Sequence, residues 1–226
     1  MQELLRNIQI KVNDKTYVKD PVSSDLGQSI VNESISMIHE VGLEAFTFKK
    51  LANNLGTTES TVYRYFENKH KLLIYLISWY WGWLEYEIVL SSINIADPKE
   101  RLKKAIDTIC NPLQNDIKHD HIKLKPLHEI VIEESPKAFF TKEIDEENKN
   151  GLFANYKRIN ERLIGIIREI NPSYKFAIAL ASLIVDSSNQ QRFYSVHVPS
   201  ITDFKKNEPS LGTFLCDLVL KTINCN

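Results

Sequence analysis

The stretch from Phe46 to Leu76, FTFKKLANNLGTTESTVYRYFENKHKLLIYL, decides how the rest of the chain is read. Between residues 57 and 73 it crowds three threonines, a serine, two tyrosines, an arginine and two lysines into one polar run, side chains that add little to a core. Thr47 is placed to cap a short helix holding Phe48, Leu51, Ala52 and Leu55, and Gly56 ends it by supplying a left-handed backbone. A second short helix is expected from about Glu59 to Tyr65, and Asn68 then caps a much longer one from Lys69 to about Leu90. Two short helices joined by a turn at Gly56 make a helix-turn-helix, in which small Ala52 lets the second helix cross closely over the first. Leu51, Leu55, Val62 and Phe66 form the inward face, and Phe48 belongs to the core. The outward face presents Glu59, Ser60, Tyr63 and Arg64, groups that hydrogen-bond to phosphates and base edges. A polar face on a short helix is ordinarily just solvated. Here the turn, the small residue and the interleaving of aromatic and basic side chains coincide, which favours double-stranded DNA as a partner.

Working outward, Ile30, Val31, Ser34, Ile35, Ile38 and Val41 recur at three-and-four spacing over residues 25–41, the stripe of an amphipathic helix that Gly42 stops. Residues 24–75 thus read as a three-helix unit. Residues 1–23 form an arm carrying Arg6, Lys11, Lys15 and Lys19, cations that either reach a neighbouring groove or lie against the body; the second reading is the more ordinary. The arm's IQIKV is the one candidate strand. Beyond residue 76 the signals remain helical. Asp97-Pro98 is a cap followed by proline at the first helical position, and Ser135-Pro136 and Asn171-Pro172 repeat the pattern.

The pattern of Thr47, Leu51-Ala52, Leu55-Gly56, Thr61-x-Tyr63-x-Tyr65-Phe66, Asn68-Lys69 and Leu72-Leu73 resembles the DNA-binding signature of the tetracycline-repressor (TetR) family of transcriptional regulators, over about 50 residues with the first helix included. The resemblance implies an all-α fold, in which an N-terminal three-helix DNA-binding head is joined by a long fourth helix to a larger ligand-binding and dimerisation domain, residues 76–226. It further implies phosphate contacts from Thr47, Tyr63, Tyr65 and Lys69, base contacts from Lys49, Ser60 and Arg64, and a Thr58 that caps the recognition helix and touches the backbone. Glu59 departs from a purely basic reading head, since it repels phosphate unless it accepts from a cytosine amino group.

Relatives of that kind are homodimers that release a palindromic operator when a small-molecule effector binds. For the dimer face, residues 176–188 and 211–223 are the candidates, with Ala177, Ala181, Phe214 and Leu218 at the seam; the alternative is packing inside one protomer. The aromatic cluster of Trp79, Tyr80, Trp81, Trp83 and Tyr86 has too many rings for one helix face. Trp79, Trp83 and Tyr86, with Tyr156 and Asn189, are therefore candidates for lining an effector pocket, core packing being the more ordinary reading.

The chain of 226 residues is 43% apolar, enough to bury a core. Its formal charge of −1 requires any DNA affinity to come from a local patch. Cys110, Cys216 and Cys225 have no metal-like spacing and suit a reducing, cytoplasmic setting. The most apolar run, residues 72–84, is too short to span a bilayer, so no membrane association is expected. An enzyme is the weaker reading: HEIVI places Ile132 where a zincin needs its second histidine, and Glu67 to His70 is a lone Glu-x-x-His. No catalytic set, cofactor or metal is expected. Metal sensing through His119, Asp120, His121 and His128, or a chromosome-organising role without effector, remain as alternatives.

Overall fold

The structure, a computed structural model, describes residues 10–114, 122–205 and 210–224. The described residues are helical, with α1 at Asp25–Ala45, α2 at Phe48–Asn54, α3 at Glu59–Tyr63, α4 at Lys69–Ser92 and α5 at Pro98–Cys110. They continue with α6 at Leu124–Phe139, α7 at Ile144–Lys149, α8 at Ala154–Ile170, α9 at Ala177–His197 and α10 at Ser210–Asn224. No strand forms among them, so the described part of IQIKV is irregular. His119, Asp120, His121, Arg6 and Cys225 lie outside the described residues.

Two compact units emerge: residues 1–82 with 116–155, and residues 83–115 with 156–226. The first unit is thus larger than the head expected at 24–75, because a later segment carrying α6 and α7 packs with it. Its core holds Ile30, Ile35, Ile38, Phe46, Leu51, Val62 and Phe66, all at most 2% exposed. Ser24 caps α1 by accepting from the Gly27 amide at 3.2 Å. The stripe of α1 is buried as its spacing predicts, except that Val41 is 49% exposed. Gly42 does break the helix, at φ +74 and ψ 161, a conformation essentially confined to glycine. The Leu43 amide beyond the break is taken up by Glu134 Oε1 of α6 at 3.1 Å.

The described part of the N-terminal arm lies against this unit. Val12 and Thr16 are buried, the Lys11 carbonyl accepts from Asn155 Nδ2 at 3.1 Å, and Lys15 Nζ donates to Asn150 Oδ1 at 2.8 Å. The pair Asn150-Gly151 closes a turn at φ +77, where the glycine avoids the left-handed penalty. Buried Glu147 of α7 accepts from Lys71 Nζ at 2.8 Å and is 3.1 Å from His70 Nε2, so α7 is pinned to the first turn of α4.

From Leu72 to Leu84 the side chains of α4 are buried on every face, the mark of a helix enclosed by its neighbours. This answers the aromatic cluster: Trp79, Tyr80, Trp81 and Trp83 are at most 7% exposed. The Tyr80 hydroxyl is 2.7 Å from His128 Nδ1, and the two rings stack at 5.6 Å.

The second unit packs α5, α8, α9 and α10 around Leu102, Ile106, Ile159, Leu163, Ile184 and Leu215. Asp97 caps α5 by accepting from the Lys99 amide at 3.2 Å, with Pro98 at the first position. The two later proline signals do not start helices. Pro136 sits inside α6, near enough to its end that little of the hydrogen-bond ladder is lost. Asn171 instead builds a turn, accepting from the Ser173 amide at 3.0 Å while its Nδ2 donates to the Ile223 carbonyl at 2.8 Å. Burial pushes the Cys110 thiol up to about 12, which keeps it protonated and unreactive.

Candidate nucleic-acid interface

The reading surface is built by three side-chain caps and one aromatic contact. Thr47 Oγ1 accepts from the Lys50 amide at 3.2 Å and opens α2. Thr58 Oγ1 accepts from the Thr61 amide at 3.3 Å and opens α3; it also lies 2.9 Å from the hydroxyls of Ser60 and Thr61. Asn68 Oδ1 accepts from the Lys71 amide at 2.8 Å and opens α4. Phe48, 4% exposed, holds the Tyr63 ring edge-on at 5.0 Å, and Tyr63 is 48% exposed. Ring packing of this kind leaves the phenol body fixed and its hydroxyl free to meet an acceptor.

Thr47, Lys49, Thr58, Glu59, Ser60, Tyr63 and Arg64 are all exposed on this unit. All but the acceptor Glu59 supply the mixture of hydroxyl and cationic donors that phosphate and base edges need. Arg64 is the C-cap of α3.

Two residues of the same set are engaged elsewhere. Tyr65, a phosphate contact by the family resemblance, is 4% exposed. Its hydroxyl lies 2.9 Å from Ser24 Oγ and accepts from Lys19 Nζ at 3.3 Å, and the Ser24 hydrogen bond, reinforced by the Lys19 ammonium, lowers its pKa. The signal for this was present: Tyr65 follows Val62 by three residues and so shares its inward face. Lys69 Nζ donates to the carbonyls of Leu43 at 3.1 Å and Glu44 at 3.3 Å, while Lys50 Nζ donates to Ala45 at 2.9 Å. Both ammonium groups therefore satisfy the orphan carbonyls at the end of α1, leaving Lys69 one of its three donors for anything else.

In the second unit, Glu85, Ile88 and Ile93, Arg101, and Arg158 and Arg162 of α8 are among the residues lining a cavity of about 560 Å³. Glu85 is 7% exposed, and each of its oxygens accepts an Nε–H, from Arg158 and from Arg162, both at 2.7 Å. None of the five side chains expected to hold an effector lines this cavity. Trp79 and Trp83 are core, Tyr156 donates to Asp186 at 2.7 Å, and Asn189 is half-buried on α9. The Tyr86 hydroxyl is buried without a hydrogen-bond partner among the described residues, and burial, with Glu87 adding to it, raises its pKa.

The expected dimer seam divides as well. Ala177 and Ala181 are at most 2% exposed and belong to the core of their own unit, whereas Phe214 is 49% and Leu218 38% exposed. On α9 it is Ile178, at 64%, and Leu183, at 45%, that face solvent.

Residues 30–76 match the family model of bacterial regulatory proteins of the tetR family. No curated protein matches the sequence. Solved structures resemble most of the chain. A bacterial regulatory protein of the tetR family from Rhodococcus RHA1 aligns with TM-score 0.64 and 14% identity over 90% of this chain and 99% of that one. The regulator FadR from Bacillus subtilis, in complex with stearoyl-CoA, gives 0.62 and 20% over 86% and 97%. AibR in complex with isovaleryl-CoA and operator DNA gives 0.60 and 15% over 84% and 96%. Residues 30–76, which hold the helix-turn-helix, thus match the tetR family of bacterial regulatory proteins, and the described residues share the helical fold of a solved member of it.

Proposed function

We propose that the chain is a homodimeric, effector-responsive transcriptional regulator, in the first instance a repressor, acting in the cytoplasm on a palindromic operator. The observation that carries it is the exposed set Ser60, Tyr63 and Arg64 on α3, fixed by the Thr58 cap and by Phe48, inside a head that matches a tetR-family model. Thr47 and Tyr63 contact phosphates, and Lys49, Ser60 and Arg64 lie nearest the bases. That AibR was solved with operator DNA supports this use of the fold.

Dimer formation is supported by the exposed apolar side chains Ile178 and Leu183 on α9 and Phe214 and Leu218 on α10, which are left in water on one copy. Patches of this kind on a soluble protein mark contact sites. A small-molecule effector is supported by the cavity in the second unit and by the acyl-CoA molecules that FadR and AibR hold. The reading assigns the chain no catalytic step.

Selection of bound fragments from the host genome at near-physiological salt tests this. One or a few palindromic sites near promoters are expected. Many dispersed sites would favour chromosome organisation, and salt-sensitive binding without sequence preference would contradict the reading.

A further inference from the structure

The lining of the cavity in the second unit combines charged side chains, apolar side chains and a glycine, and these point to one ligand chemistry. Its charged lining consists of Arg101, Arg158 and Arg162 with Glu85, Glu161 and Glu169. Arg101 is paired with Glu169. Each Glu85 oxygen accepts one Nε–H, from Arg158 and from Arg162, which lie one helical turn apart in sequence, so Glu85 orients both guanidinium groups and the three side chains together keep one net positive charge. The η nitrogens of both arginines remain, on side chains 44% and 47% exposed. A guanidinium held by one edge presents the other as a fork that fits a carboxylate or phosphate.

The apolar wall comes from Ile88, Val89, Ile93, Ile95 and Ile166. Gly165, on the same wall, lies inside α8, where glycine weakens a helix. A Cβ at that position would meet nothing within 4 Å, so no neighbour in the protein requires its absence. The backbone is bare where a ligand would pass.

We propose that this cavity binds an amphipathic anion, its carboxylate or phosphate on the η nitrogens of Arg158 and Arg162 and its apolar chain over Gly165 along Ile88 and Ile166. The site deepens the effector half of the proposed function and stands or falls apart from it.

Calorimetric titration of the full chain with decanoate, with decyl phosphate and with decyltrimethylammonium as the charge control is the test. At least one of the two anions binds and the cation does not, and the preferred anion identifies the headgroup. Gly165→Leu weakens binding by about tenfold or more through occupancy of the gap while raising the thermal midpoint, because leucine is the better helix former; misfolding therefore cannot account for the loss. Arg158→Gln with Arg162→Gln weakens binding by a similar factor. Since that pair leaves Glu85 buried and uncompensated, Glu85→Gln is added in a second variant, which folds and still fails to bind. Binding of the cation as tightly as the anions, undiminished anion binding by Gly165→Leu, or no binding of either anion overturns the site. Operator affinity is measured in parallel. Anion binding that leaves it unchanged supports the site and counts only against an effector role, whereas specific operator binding without anion binding overturns the site and leaves the regulator reading intact.

Discussion

At the end of α3, Arg64 points into solvent while the next residue, Tyr65, is buried with its hydroxyl on Ser24 and Lys19. The two side chains therefore fail in different ways when removed. Arg64→Ala is expected to cost about 1–3 kcal/mol at the cognate site and to relax sequence preference, with the folded state unaffected; competition titrations against unrelated DNA check it, and an equal loss on all DNA would remove Arg64 from the base-reading set. Tyr65→Phe is expected to cost about 1 kcal/mol of stability through its hydrogen bonds and to leave the operator affinity of folded protein unchanged, as urea unfolding and binding measured side by side will show. Residues whose role rests on near neighbours were legible in the sequence. Thr47, Thr58 and Asn68 cap the helices they precede, because a cap is decided within three or four positions. Lys69 was not legible as a cap, since its acceptors at Leu43 and Glu44 lie more than twenty residues away in sequence.

At the scale of elements, α1 is controlled from α6. Gly42 breaks the helix at a positive φ, and Glu134 supplies the acceptor that the freed Leu43 amide needs. Gly42→Ala is expected to destabilise the protein by about 1–3 kcal/mol from backbone strain alone, because the added Cβ would lie 3.6 Å from Glu134 Oε1, an ordinary contact. Glu134→Ala, which strands a buried amide, is expected to cost a similar amount; thermal unfolding of both variants checks the pair, and a neutral Gly42→Ala would mean the break is not held by the fold. The helical class, the break at Gly42 and the core position of Phe48 could all be read from spacing. The proline signals at 136 and 172 misled because a cap-plus-proline pattern describes a helix start, a late-helix proline and a turn equally well. The packing of α6 and α7 with the head was invisible, since it depends on contacts between segments far apart in the chain.

For the whole molecule, the proposed dimer would have to hold two reading helices about 34 Å apart to enter successive major grooves, which ties the proposed operator binding to how two copies meet. Ala177 and Ala181 looked suited to a close seam because they are small, but small residues serve equally to let α9 pack within its own unit, and both are buried there. Leu218→Glu places a charge one helical turn from exposed Phe214 on α10 and is expected to shift the protein toward monomer and weaken operator binding by tenfold or more, since a desolvated unpaired charge costs several kcal/mol. Sedimentation equilibrium checks the first effect and gel-shift titration the second; an unaltered dimer would move the interface off α9 and α10.

The most direct measurement of the central claim is a hydroxyl-radical footprint of the purified protein on its selected genomic fragment, beside the Arg64→Ala variant. Two protected half-sites about one helical turn apart, related by a two-fold axis and lost together in the variant, are predicted. A single protected patch, or a footprint that Arg64→Ala leaves in place at equal concentration, would contradict recognition of DNA by a pair of α3 helices.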